Sequence, residues 1–382
     1  YGEEYRSQNA ITKKQHSVMS AIAGCRTGDF GYHVDQCDNC GYSESHLNSC
    51  RDRHCPKCQA VSKHKWVAAR LKDILPVAYF HIVFTLPHSL NGLTRYNKRM
   101  VYDLLMASSS KTLLTFGRDP KWLGGKIGFY GILHTWGQRL WLHPHVHYIV
   151  AGGAVSADGR WIEPKYKNKF LFPVKALSKV FRGKFIEGLK AAYYQRKLII
   201  PDDYSELSRP DLFEHWVNDL VSCQWVVYCK PPLADAEKIV RYLGRYTHRV
   251  AISNRRILGI KNGRVYFWYR NYCSDRITWQ QMSLSCKEFI RRFLEHVLPQ
   301  GYHKIRHYGI LANGRCKNMI HRIRNLLNVN PVKDHNHNGN YKRHCSVCTI
   351  GLLNINRVIN RWGRMAISST RLKSSVYAFD TS

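Results

Sequence analysis

The sequence predicts an α+β fold in which a two-layer domain, an antiparallel sheet with helices on one face, follows a small cysteine-stapled module. Two observations carry that expectation. From residue 77 onward, segments with strand alternation and segments with helical periodicity follow one another as β-α-β-β-α-β, an order that keeps the helices on one side and leaves the other face open to an extended ligand. Before them, six of the thirteen cysteines fall between Cys25 and Cys58, in a polar, turn-rich stretch with too few large aliphatics to build its own core.

Taken in order, residues 1–24 show loose helical spacing through Ile11, Val18, Met19 and Ile22, with Gly24 as the stop. The cysteine-rich module comes next, and AVSKHKWVAARLKDIL (60–75) leads out of it as a basic helix. AYFHIVFTLP (78–87) is a β-branched and aromatic strand closed by proline, and 93–116 reads as a helix carrying Tyr102, Leu105, Met106 and Leu113. KIGFYGILHTW (126–136) and HPHVHYIVAGG (143–153) are close enough to pair as a hairpin, with an ADGRW turn (157–161) after the second. A long helix over 174–195 follows from Val174, Leu177, Phe181, Phe185, Leu189 and Ala192 recurring at three- and four-residue spacing. After a second helical stretch at 210–221, CQWVVYC (223–229) is the last strand of the series, and Pro231-Pro232 is expected to stop it. A helix at 235–247, an aromatic strand RVYFWYRNY (264–272) and helices at 286–297 and 316–328 follow, and the tail from 330 reads as basic, Asn-rich and loose. The expected organisation is therefore a module over 1–75, the two-layer domain over 76–256, an aromatic and basic α+β extension over 257–329, and a tail over 330–382.

Composition limits the function classes. With 59 Lys+Arg against 26 Asp+Glu in 382 residues the formal charge is +33, and 44% hydrophobic content is enough for packed cores, which rules out disorder throughout. No apolar run approaches the ~18 residues of a membrane span, so a soluble protein is expected. An odd number of clustered cysteines points to a reducing compartment rather than a secreted disulfide framework. A surface this basic attracts polyanions, with DNA or RNA foremost, although ribosomal and membrane-surface proteins share the feature.

Three motifs carry chemistry. Cys37-x2-Cys40 and Cys55-x2-Cys58, fourteen residues apart, can close a tetrahedron of thiolates around zinc, and their Asp, Asn, Gly, Pro and Lys neighbours are unlike those of core cysteines. Cys25, Cys50, His33, His46 and His54 lie nearby as ligands of a further site or as supporting surface residues. A structural zinc keeps no open position, so this module should position DNA or a partner. In HPHVHYIV (143–150), His145 and His147 project from one strand face and can share a divalent ion; His143 has the same parity, and Pro144 costs little at a strand start. Histidines on a half-buried strand satisfy the same pattern without metal. In YLGRYTHR (242–249), Tyr242 and Tyr246 lie one helical turn apart, flanked by Arg241, Arg245 and Arg249. Tyrosines at that spacing commonly pack, but the arginine stripe suits a nucleophile facing phosphate. A phenol with a pKa of about 10 needs a metal to polarise the phosphoryl group and cations to stabilise the phenolate. Attack on a phosphodiester would leave a 5′-phosphotyrosine and a free 3′-OH, conserving the bond for religation.

From Cys25 to about Gly314 the chain resembles the bacterial rolling-circle insertion-sequence transposases, two-tyrosine nucleases of the histidine-hydrophobic-histidine (HUH) type with an N-terminal zinc-binding domain. The likeness rests on CDNC and RHCPKCQ, VFTLP (83–87), LHTWGQ (133–138), HPHVH (143–147), YLGRYTHRVAISN (242–254), EFIRRFLEHVLP (288–299) and KIRHYGILAN (304–313). It implies a ferredoxin-like HUH domain in which His145 and His147 hold Mg²⁺ or Mn²⁺ and Tyr242 and Tyr246 are the nucleophiles, with Tyr246 weighted first. For the third metal ligand the choice falls on Gln138, with His134 behind it. Cys345 and Cys348 in RHCSVC (343–348) match a C-terminal knuckle of such proteins, for which His335, His337, His344 or Cys316 would complete a zinc site. DNA contacts would fall to the zinc module and to basic residues, Arg255 and Arg256 among them. Phe267, Trp268, Tyr269 and Tyr272 are available to stack on unpaired bases, although alternate residues of such a strand read equally well as core. The implied activity is a DNA transposase acting on single-stranded element ends in the cytoplasm, at the nucleoid. With no Walker motif in the chain, a host helicase would separate the strands. A plasmid replication initiator or relaxase of HUH type, and a catalytically inert zinc-module DNA-binding protein, are the rival readings.

Overall fold

The computed structural model describes residues 1–166, 170–233, 238, 244, 247, 251–271, 278–314, 316–328 and 343–368. Helices α1 (Gly2–Gln8) and α2 (Lys13–Ala23) replace the single helical stretch expected at the start. Asn9 is extended, and Thr12 caps α2 in a reciprocal box with Gln15. A hairpin of β1 (Tyr32–Cys37) and β2 (Ser43–Leu47) leads to helix α3 (Gln59–Lys72). Next come β3 (Tyr79–Thr85), α4 (Asn91–Tyr96), α5 (Lys98–Arg118), β4 (Gly128–Trp136), β5 (Leu142–Ala151), the two-residue pair β6 (Ala154–Val155) and β7 (Trp161–Ile162), α6 (Val174–Tyr194), α7 (Pro210–Ser222) and β8 (Val227–Leu233). The later part holds β9 (Ile257–Lys261), β10 (Arg264–Asn271), β11 (Thr278–Ser285), α8 (Cys286–Glu295), β12 (Ile305–Gly309), α9 (Cys316–Leu326), β13 (Arg343–His344), β14 (Leu352–Ile359) and β15 (Met365–Ser368).

The central sheet has the order β12-β4-β5-β3-β8, every neighbour antiparallel. Without β12 this is the ferredoxin-like order of a β-α-β-β-α-β unit, with β5 and β3 innermost. Alternation sends Phe80, Ile82 and Phe84 of β3, with Phe129, Val146, Tyr148 and Val150 of β4 and β5, onto α5 and α6, where they pack with Leu105, Met106, Leu113, Phe181, Phe185 and Leu189. The opposite face is not wholly open as expected. Tyr79, Tyr130, Ile132 and Ile149 are covered by Ile320 and Ile323 of α9 and by Leu75, which leaves the other end of that face to histidines.

Three further expectations change. β8 runs through Pro231 and Pro232 to Leu233, because it is an edge strand and the prolines sit where its register with β3 shifts, so no ladder N–H is lost. The described part of the tail, 343–368, is not loose: β14 pairs along the whole of β1, from Tyr32↔Ile359 to Cys37↔Leu353, and β13 and β15 complete that sheet. Residues 1–23 also reach beyond the cysteine module: Tyr5 and Val18 pack with Leu294 and Val297 beside α8, while Lys14 pairs with Asp52 of the module at 3.6 Å.

Candidate functional site

Along β5 the burial alternates, with His143, His145 and His147 half-exposed on one face while Pro144, Val146 and Tyr148 are buried on the other. Residues paired across an antiparallel ladder share a face, and His134 of β4 pairs with His145. One ring nitrogen from each of His134, His145 and His147 lies within 4.8 Å of the others, so these three could hold one divalent ion. The His145 Nδ1–H donates to the His143 carbonyl at 2.6 Å, and Nδ1 of His147 is 2.8 Å from Nε2 of His81 on β3. Each bond fixes a ring through Nδ1, so Nε2 is the atom that could ligate an ion. Burial pushes His145 and His81 down to about 4 and His147 well below its ordinary value, so these imidazoles are neutral near neutral pH and keep their lone pairs.

Gln138, chosen from sequence as the third ligand, faces elsewhere. The chain leaves β4 at Trp136, and in the turn Gln138 Oε1 accepts from the Arg270 N–H at 3.5 Å while its carbonyl accepts from Arg256 at 2.5 Å. His134, the second choice from sequence, still lies within the strand, with a ring nitrogen within 4.8 Å of one on each of His145 and His147. His81 was missed altogether, although the alternation of FHIVF puts it on the polar side of β3.

Tyr242, Tyr246, Arg241, Arg245 and Arg249 lie outside the described residues, as do Tyr272, His335 and His337. Between the tyrosines Gly244 is helical and lies against Val67 of α3, where a Cβ would collide with the valine; Thr247 is buried. Arg255 is exposed, but Arg256 is buried and spent on the Trp268 and Gln138 carbonyls, so it is a tie within the fold rather than a DNA contact. Phe267 and Tyr269 face the core, whereas Trp268 faces solvent.

Among the described residues eight cysteines form two groups of four, not the one of Cys37, Cys40, Cys55 and Cys58. Cys25, Cys50, Cys55 and Cys58 make one; Cys37, Cys40, Cys345 and Cys348 make the other. The reason is the β1–β2 hairpin: Cys37 and Cys40 ride its tip, Cys25 and Cys50 flank its base, and a five-residue strand separates tip from base by about 17 Å. Sulfurs lie 3.5 Å apart in Cys25–Cys58 and Cys50–Cys58, 3.6 Å in Cys37–Cys348 and 3.7 Å in Cys40–Cys345. A tetrahedron with Zn–S bonds of about 2.3 Å needs sulfurs about 3.8 Å apart. Backbone N–H groups of Asn39, Cys40, Val347 and Gly351 donate to Cys37, Cys345 and Cys348, and Gly351 is required because a Cβ there would strike the Cys37 sulfur. The nearby histidines are otherwise engaged. His54 is buried between Asp52 and the Leu298 N–H, His33 bonds Asn48, and His46 joins Asp35, Glu44 and Arg343 in an ion-pair network.

The family model described as "Putative transposase" matches residues 128–319, half of the chain, and that described as "Transposase zinc-binding domain" matches residues 1–86. The chain belongs to this transposase family. The transposase is 45% identical over 332 residues to "Putative transposase y4qJ" of Sinorhizobium fredii (strain NBRC 101917 / NGR234), covering 86% of this chain and 82% of the relative. It is 27% identical over 324 residues to "Transposase for insertion sequence element IS801" of Pseudomonas savastanoi pv. phaseolicola, covering 82% and 74%. No solved structure matches. The matched zinc-binding domain and the two four-cysteine groups support structural zinc. No helix among the described residues is long and apolar enough to cross a membrane.

Proposed function

We propose that the transposase nicks and rejoins single DNA strands at the ends of its element through tyrosine, with a divalent ion at His134, His145 and His147. The observation that carries the reading is the convergence of these imidazoles at the uncovered end of a ferredoxin-like sheet. An all-nitrogen donor set favours Mn²⁺ over Mg²⁺, which prefers oxygen ligands. Such an ion would supply polarisation of the scissile phosphate. His81 positions His147, and the His143 carbonyl positions His145.

Tyr242 and Tyr246 are the nucleophiles. The phenolate oxygen bonds to phosphorus, the P–O3′ bond breaks, the 3′ oxygen takes a proton, and the 5′ end stays on the tyrosine; attack by a 3′-OH reverses the step. Arg241, Arg245 and Arg249 neighbour the tyrosines in sequence and would favour the phenolate, while exposed Arg255 would meet the DNA backbone. One zinc at each four-cysteine group would hold the recognition module. A host helicase would separate the strands, in the cytoplasm at the nucleoid.

Covalent capture tests this. Purified protein with Mn²⁺ and labelled single strands from both flanks of its element should yield an adduct on Tyr242 or Tyr246, lost with chelator and in His147→Ala. No adduct on either strand, with salt-sensitive binding intact, would leave a zinc-module DNA-binding protein.

A further inference from the structure

The β9–β10–β11 sheet has an outer face unlike that of an ordinary solvated sheet. Its inner face is a normal core: Val265, Phe267 and Leu284 pack with Leu140, Phe289 and Phe293. Alternation then sends Tyr266, Trp268 and, across the ladder, Trp279 outward, with Trp268 36% and Trp279 51% exposed. Register places Trp268 opposite Gln281 and Arg270 opposite Trp279, and the Arg270 guanidinium lies 4.8 Å from the Trp279 ring centre. Arg264 is exposed at the other end of the same face. No Asp or Glu occurs among the described residues of 251–285. Exposed indoles between cations, with no carboxylate among the described residues of these three strands, complement a polyanion that also offers flat apolar faces: an unpaired nucleic acid strand, whose bases are free to stack. A duplex hides those faces.

The sheet is also tied to the metal-site hairpin. Arg139 in the β4–β5 turn donates to the Tyr269 hydroxyl at 3.1 Å, and Arg256 bridges the Trp268 carbonyl at 2.6 Å to that of Gln138. The turn joins the strand of His134 to the strand of His145. A strand lying on this face is therefore in fixed relation to the histidines.

We propose that Tyr266, Trp268 and Trp279, between Arg264 and Arg270, form a stacking platform for the unpaired bases that flank the scissile phosphate. The proposal rests on the reading that the transposase acts on single strands.

The test compares wild type, Trp268→Ala/Trp279→Ala and Trp268→Tyr/Trp279→Tyr for affinity to a single-stranded oligothymidine and to a duplex, alongside adduct formation on a minimal oligonucleotide spanning the cleavage site. Stacking lost at two rings should weaken single-strand binding at least about tenfold. The tyrosine pair should stay within about threefold of wild type, and duplex binding should change less than about twofold. Undiminished zinc content and melting temperature check that the alanine variant is folded. Unchanged single-strand affinity in that variant overturns the platform, as does an equal loss for single strand and duplex, or a change in oligomeric state that accounts for the loss. If wild type forms adducts while single-strand affinity is unchanged in the alanine variant, the platform falls and the tyrosine chemistry stands. If wild type forms none while the alanine variant still loses single-strand affinity selectively, the chemistry falls and the platform survives as a binding surface.

Discussion

His296 is buried beside the β4–β5 turn with both ring nitrogens engaged: Nδ1 is 3.2 Å from the Thr135 hydroxyl and Nε2 is 3.1 Å from the Leu140 carbonyl. A carbonyl can only accept, so Nε2 carries the proton and Nδ1 accepts from Thr135, which is the neutral tautomer. Burial pushes this imidazole down to about 4. Because that lies below the ordinary value of about 6.5, the unfolded chain binds the proton first, so the contribution is complete above that value and is lost as pH falls towards 4. The shift corresponds to about 3 kcal/mol. Denaturant unfolding of His296→Gln should give a shallower fall in stability between these limits than wild type; parallel curves would remove His296 from the account. At the proposed metal site, His134→Ala should abolish Mn²⁺ binding by calorimetry and Gln138→Ala should leave it intact, and the reverse result would favour Gln138 as the third ligand. HPHVH was legible because two-residue spacing fixes a strand face. His134 could be named only behind Gln138, because its face depends on the β4–β5 register.

That register is a property of the elements. Trp136 pairs with Leu142, but His134 pairs with His145, so one extra residue is accommodated on β5 between them, at His143 and Pro144. Had the ladder continued from Trp136 without the shift, His145 would face Leu133 and His134 would point to the opposite face. Local patterning gave β3, β4, β5 and α6 nearly to their ends, since each has its own periodicity, but it read 93–116 as one helix where the chain breaks at Asn97 between α4 and α5. It gave no sign that β14 pairs with β1 some three hundred residues away, nor which cysteine knuckles meet. The pairing has a direct test: Cys345→Ser/Cys348→Ser should lower bound zinc from two ions per chain to one, because the Cys25 group remains. Unchanged zinc content would return the site to a purely N-terminal set. The contact of Gly244 with Val67 gives another expectation. Gly244→Ala should destabilise by about 1–3 kcal/mol through overpacking, and Val67→Ala in the same chain should restore most of it. An additive double mutant would mean that the two residues do not touch.

Over the whole molecule, the excess of cations and the closure of the chain bear on the same property. A net charge of +33 is far more than the fold needs, and Lys+Arg outnumber Asp+Glu by 59 to 26, so self-repulsion opposes the compact state. Two arrangements oppose that repulsion. The C-terminal strands add to the N-terminal sheet, where Arg343 pairs with Asp35 and Glu44, and α1 and α2 are pinned to α8 with Glu4 on Lys287 at 2.8 Å. DNA neutralises the remaining excess from outside, releasing condensed counterions for each phosphate contacted. Log affinity for a single strand should therefore fall linearly with log salt, at about 0.7 per phosphate neutralised. Several contacts across the exposed arginines predict a slope of about −3 or steeper, and Arg264→Gln/Arg270→Gln should make it shallower by about 1 without changing its linearity. Stacking releases few ions, so Trp268→Ala/Trp279→Ala should lower the whole line and keep its slope. A flat titration would show that the charge serves something other than the strand, and a slope change in the tryptophan variant would show that ring and guanidinium on this face do not act separately.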